Sequence, residues 1–171
     1  IFELIADPAE QPSWDGNDNL VSAEPGQRVR AVGDVFIMTI HLQQDRENHV
    51  VEFAEGRVIA WRPSEVGATQ PGHLWRWELE SLDADHTRVT HTYDWTDLTD
   101  PNRLGRAQAT TAEKLSASLD RLAEVETRVE ALRAGEFAQG PADPDPDEIG
   151  RLSRAFAAMA TSVGDNTQML E

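Results

Sequence analysis

The sequence predicts an α+β chain in which a curved antiparallel sheet grips a long C-terminal helix, followed by an α-helical hairpin. Three observations carry that reading. Between Gly33 and Trp95 strand-like segments follow one another too closely to leave room for helices, which demands an antiparallel meander. From Pro101 to Ala134 there is no second proline, and Leu104, Leu115, Leu119, Leu122, Val125, Val129 and Leu132 fall at helical spacing. Beyond the prolines at 141, 144 and 146, Ile149, Leu152, Phe156, Met159 and Val163 step by 3, 4, 3 and 4, a heptad seam.

Taken in order, Ile1–Ile5 reads as the end of a short helix stopped by Asp7-Pro8, and Pro8–Trp14 as a brief second turn. Asp15-Gly16-Asn17 is turn chemistry, Leu20-Val21 a short strand, and Pro25-Gly26 another break. Strands are expected at 33–41, 48–53 and 57–62, the last two joined by a tight hairpin at Glu55-Gly56. A further pair, 73–82 and 87–95, turns at Asp83-Ala84-Asp85-His86. Asp100 supplies a side-chain acceptor at the N-cap of the long helix, and Pro101 sits where its missing N–H does no harm. Gly105 weakens the first turns by about 1 kcal/mol relative to alanine. The early part of this helix is expected to close the β-rich domain and the later part to start a coiled coil. One helix can serve both.

Alternation assigns faces to the strands. His73, Trp75, Trp77 and Leu79 share one side, and Val89, His91, Tyr93 and Trp95 share the matching side of the next strand. On 48–53 the apolar choice is Val51 and Phe53, which places His49 with them. Both faces of 33–41 carry apolar groups, so its pattern is ambiguous. The inward set lines an apolar pocket, with His49, Phe53, Trp75, Trp77, Tyr93 and Trp95 as candidate ligand contacts and Trp14 and Trp61 at its rim. The competing reading is a packed core whose N–H and O–H groups have found partners. His73, His91 and Tyr93 are the candidate acid–base groups, should the pocket do chemistry.

Composition narrows the classes. A net charge of −16 argues against nucleic acid or an anionic membrane surface as partner. The absence of cysteine excludes disulfides, thiolate metal sites and a cysteine nucleophile. No H-x-H or H-x-x-x-H pair, glycine-rich phosphate loop, G-x-S-x-G elbow or spaced carboxylate pair is present, so neither a metal nor a cofactor is expected. No apolar run reaches the ~18–20 residues that cross a bilayer, which makes cytoplasmic the default location. The chain opens at Ile1 inside what reads as a helix; the expectation is a fragment, whose missing part could hold a targeting or membrane segment.

The order helix, strand meander, W-R-W-E-L-E (75–80), R-V-T-H-T-Y-D-W (88–95), L-T-D-P and long helix resembles the START-like helix-grip superfamily, nearest its polyketide cyclase/dehydrase-like (SRPBCC) branch. The resemblance covers 1–126. It implies a sheet gripping the last helix around a cavity for a lipid, a polyketide or another small hydrophobic molecule. Some relatives catalyse cyclisation or dehydration and many only bind; no invariant catalytic set carries over. Relatives begin with a strand that this chain lacks, which leaves one sheet edge unpaired.

Residues 127–171 resemble a HAMP module, the linker of bacterial signalling receptors. Val129-x-x-Leu132, Ala134-Gly135, the proline connector and D-E-I-G-x-L-x-x-x-F-x-x-M carry that resemblance. It implies a homodimer through the hairpin, with Val129, Leu132, Ile149, Leu152, Phe156, Met159 and Val163 in the seam. Non-catalytic binding of a hydrophobic ligand is therefore the leading expectation. The alternatives are a cyclase/dehydratase-type enzyme and a HAMP-like dimeric signalling linker.

Overall fold

The structure, a computed structural model, describes residues 1–133. The chain divides into two units with the boundary between Glu126 and Thr127. The first unit opens with α1 (Phe2–Ala6) and a 3-10 turn at Gln11–Ser13. Six strands follow: β1 (Leu20–Ser22), β2 (Val35–Ile40), β3 (Gln44–Ala54), β4 (Val58–Glu65), β5 (Leu74–Ser81) and β6 (Thr87–Asp94). All neighbours pair antiparallel in the order β1-β2-β3-β4-β5-β6, a curled half-barrel whose edges are β1 and β6. A meander is the outcome expected when strands are joined by short turns alone.

The expected single helix from Asp100 is two helices. Asp100 does cap α2 (Pro101–Gln108), its carboxylate accepting from the Asn102 N–H at 2.9 Å. The chain then breaks at Ala109–Thr111 and restarts as α3 (Ala112–Arg133). The break falls at the β-branched pair Thr110-Thr111, not at Gly105, and the Glu113 carboxylate bonds Thr111 at the new start.

The concave face of the sheet holds the core. Register places Phe36 opposite Asn48, Val50 opposite Trp61, Ile59 opposite Trp77, and Leu79 opposite Val89. Ile5, Trp14, Phe36, Ile59 and Trp77 are almost wholly buried there, joined by Leu122 from α3 with Leu119 and Val125 packed beside it. Trp14 crosses to Trp77 edge-to-face at 5.1 Å and donates its indole N–H to the Leu4 carbonyl at 3.0 Å, which ties α1 to the sheet.

One turn pins α3 in place. The Asp15 carboxylate accepts three backbone N–H bonds, from Asn17, Asn19 and Leu20 at 2.8–3.0 Å. That shape presses Gly16 flat against α3, where an added Cβ would lie 2.3 Å from the Ser118 nitrogen and 2.5 Å from the Lys114 oxygen. The Gly16 N–H donates to Ser118 Oγ at 2.9 Å, and the Arg121 guanidinium donates to the Asp15 carbonyl and the Asp18 carboxylate. Ser118→Ala removes the acceptor of a buried N–H and should cost about 1–3 kcal/mol. Urea unfolding measures it; an unchanged midpoint would contradict this role.

Candidate functional site

A cavity of about 350 Å³ lies within the first unit, between the concave face and the two C-terminal helices. That is at the small end of the range for ligand sites. Its apolar wall is built by direct cross-strand pairs. Trp75 faces Tyr93 in the β5–β6 register and stacks on it at 4.1 Å; Trp77 faces His91 and stacks at 3.6 Å. His73 meets the Tyr93 ring edge-on at 6.0 Å, and Phe36, Met38 and Trp61 continue the wall across β2 and β4. The helices contribute Arg103, Arg106, Thr110, Lys114 and Ser118.

Burial settles the protonation of the two histidines. The His73 imidazole is held down to about 4, first because its charged form is desolvated and then because Arg103 and Arg46 repel a proton there. His91 is also held down to about 4 by burial, with a hydrogen bond to the Leu115 backbone opposing the shift. Burial pushes the Tyr93 phenol up, against the pull of Arg103 and Arg106. Nδ1 of each histidine is buried without a hydrogen-bond partner. Both rings are therefore neutral at physiological pH.

The structure brings together Trp75, Trp77, Tyr93, His73 and His91, and it separates the other candidates from them. His49 does not share their face. Val51 has no partner on β4, a bulge between the Val50–Trp61 and Glu52–Ala60 pairs, so the in–out alternation reverses within β3. Asn48 and Val50 point inward before the bulge and Phe53 after it, which leaves His49 on the convex side, 3.2 Å from Ser64 Oγ. Phe53 packs on Phe2 at 6.0 Å, in the core and away from the cavity. Trp95 lies past the end of β6 and is 37% exposed. Trp14 and Trp61 are buried wall residues and not a rim.

Sequence reasoning missed Asn48, Arg46, Arg103 and Arg106. Arg103 and Arg106 are three apart on α2, the spacing of one helical face, a signal that was available. Arg46 enters because β3 begins at Gln44, before the expected start at 48, and sets it opposite Met38. Among the described residues no cluster of three or more His, Cys, Asp or Glu side chains could hold a metal ion.

A profile of the HAMP domain family matches residues 114–165, so the match begins inside α3. Two curated proteins of Mycobacterium tuberculosis are similar to this chain: uncharacterized protein MT0096 of strain CDC 1551 / Oshkosh and uncharacterized protein Rv0088 of strain ATCC 25618 / H37Rv. Each is 33% identical over 97 residues, covering 56% of this chain and 41% of the relative. The chain thus spans less than half the length of the curated relatives it matches. No solved structure matches it. Among the described residues no helix is long and apolar enough to cross a membrane.

Within the matched stretch, Leu119, Leu122 and Val125 pack on the core of the first unit. Val129 is half-buried and Leu132 is 41% exposed. The seam positions at Ile149, Leu152, Phe156, Met159 and Val163 lie outside the described residues.

Proposed function

We propose that this chain is a sensor segment: residues 1–126 bind a small, largely apolar molecule, and α3 passes the consequence to a dimeric HAMP-type linker. The observation that carries it is the double membership of α3. That helix supplies Lys114 and Ser118 to the cavity and Leu122 to the core, and the HAMP match starts at Lys114 on the same helix. A ligand that shifts α3 would shift the start of the linker with it. The helix-grip resemblance of 1–126 and the stacked aromatic wall support the binding half; HAMP domains act as dimeric linkers, which supports the other.

The enzyme alternative fares less well on physical grounds. A general base works best with a pKa near the operating pH, and imidazoles held down to about 4 are weak bases at neutrality. Neutral imidazoles in an aromatic wall suit recognition.

The linker half is tested by the mass of the full chain in native mass spectrometry and sedimentation. A dimer is expected, and Leu132→Arg combined with Phe156→Arg should convert it to monomer while near-ultraviolet dichroism of the buried tryptophans is retained. A chain that stays monomeric at its highest soluble concentration, or a dimer indifferent to both substitutions, would sink this reading.

A further inference from the structure

The cavity carries a charge that the rest of the chain does not predict. In a protein of net charge −16, its lining includes Arg46, Arg103, Arg106 and Lys114. The two acids of that lining are already engaged. Asp15 is consumed by three backbone N–H groups and Asp18 by Arg121. The cations are less well served. Arg103 bonds Glu65 at 2.9 Å and reaches Asp100 at 3.3 Å; Arg46 has Glu65 as its cross-strand partner, but among the described residues it hydrogen-bonds neutral acceptors, the Gln44 side chain and the Asp45 carbonyl. Arg46, Arg106 and Lys114 form no ion pair with a carboxylate among the described residues.

The three arginines also converge. Arg46 is penalised first by its own desolvation and then by repulsion from Arg103 and Arg106, with Glu65 giving only part of that back. Arg103 and Arg46 act on His73, and Arg103 and Arg106 act on Tyr93, so all three bear on one end of the aromatic wall. Like charges gathered on a partly dehydrated wall are costly unless an anion neutralises them, and guanidinium groups bind oxyanions with charge-assisted, directional hydrogen bonds. Two residues further along β5, Trp77 stacks on His91 with Trp14 edge-on against it, and this part of the wall is apolar.

From this asymmetry we infer that the ligand is an organic carboxylate, its anionic group at Arg46, Arg103 and Arg106 and its apolar body along Trp75–Tyr93 and Trp77–His91. This rests on the ligand-binding reading above and names the class of molecule the cavity takes. Net protein charge works against it at long range; local geometry decides it at contact.

The test titrates the full chain with decanoate, decanol and decyltrimethylammonium, following the indole N–H signals of Trp75 and Trp77 by NMR and the heat by calorimetry. Decanoate should bind about tenfold or more tighter than decanol, and the ammonium compound weakest, since a charge-assisted hydrogen bond is worth at least one decade in affinity. Arg46→Gln with Arg106→Gln should collapse the decanoate-to-decanol ratio toward unity. Arg103 is left intact because its bridge to Glu65 links α2 to β4. Decanol binding as tightly as decanoate would overturn the carboxylate assignment and leave the apolar cavity standing. If none of the three moves the indole signals, both the assignment and the binding reading fall.

Discussion

Gly72→Ala should remove a large part of the stability of the β-rich unit. Gly72 has φ +109°, and an added Cβ would stand 1.9 Å from the Asp97 carbonyl oxygen and 2.7 Å from its carbon. Backbone cannot swing aside as a side-chain tip can. The opposing segment is held in turn, with the Thr99 N–H donating to the Pro71 carbonyl at 2.8 Å and the Leu98 N–H to the Trp95 carbonyl at 3.1 Å. Left-handed backbone costs an alanine about 1–2 kcal/mol and overpacking about 1–3 more, against a domain stability of about 5–15 kcal/mol. Thermal melting should fall by roughly 10 °C or more. Gly26→Ala is the control: its φ is +89°, but nothing lies within 4 Å of the added Cβ, so it carries only the conformational part. A Gly72 variant that melts with the Gly26 variant would refute the close approach.

The second large effect is acid destabilisation between pH 6.5 and pH 4. His73 and His91 are neutral in the folded chain down to about 4, whereas in the unfolded chain they take up protons near 6.5. Between those limits the unfolded state binds more protons, so stability decreases as pH falls from 6.5 and the loss is complete below about 4. Each histidine contributes on the order of 3 kcal/mol to the loss. The carboxylates that arginines hold low, Glu3, Asp18 and Glu52, lose their stabilisation at more acidic pH, below the ordinary carboxylate range. Urea midpoints measured at pH 7, 6 and 5 isolate the histidine window. His91→Leu should flatten that slope by about half, and the imidazole resonances of both rings should stay unshifted from pH 8 to pH 5. An inflection near 6.5 in either ring would place it in water.

What the sequence disclosed depended on regularity. The β5–β6 hairpin alternates without interruption, so the shared face of His73, Trp75, Trp77, His91 and Tyr93 could be read by counting in twos. The same count failed on β3, because one unpaired residue reverses it and no glycine or proline marks the spot. Asp100-Pro101 announced a helix start through side-chain chemistry that is local. The break at Ala109–Thr111 was hidden because Thr110-Thr111 is only mildly averse to helix. Among fourteen arginines scattered through an acidic chain, the spacing of Arg103 and Arg106 was legible, but that Arg46 joins them at the cavity follows only from the sheet register.

The bulge at Val51 has a consequence of scale. β3 runs for 11 residues, and drawn out straight it would reach about 36 Å. A unit of 126 residues has a radius of gyration of about 14 Å and is scarcely wider than that strand is long. An unbent β3 would therefore cross nearly the whole unit. One surplus residue near its C-terminal end lets the strand turn, so that Asn48 faces the cavity while Phe53, five positions on, meets α1. One strand thus serves two compartments, the cavity wall at its start and the packing under α1 at its end.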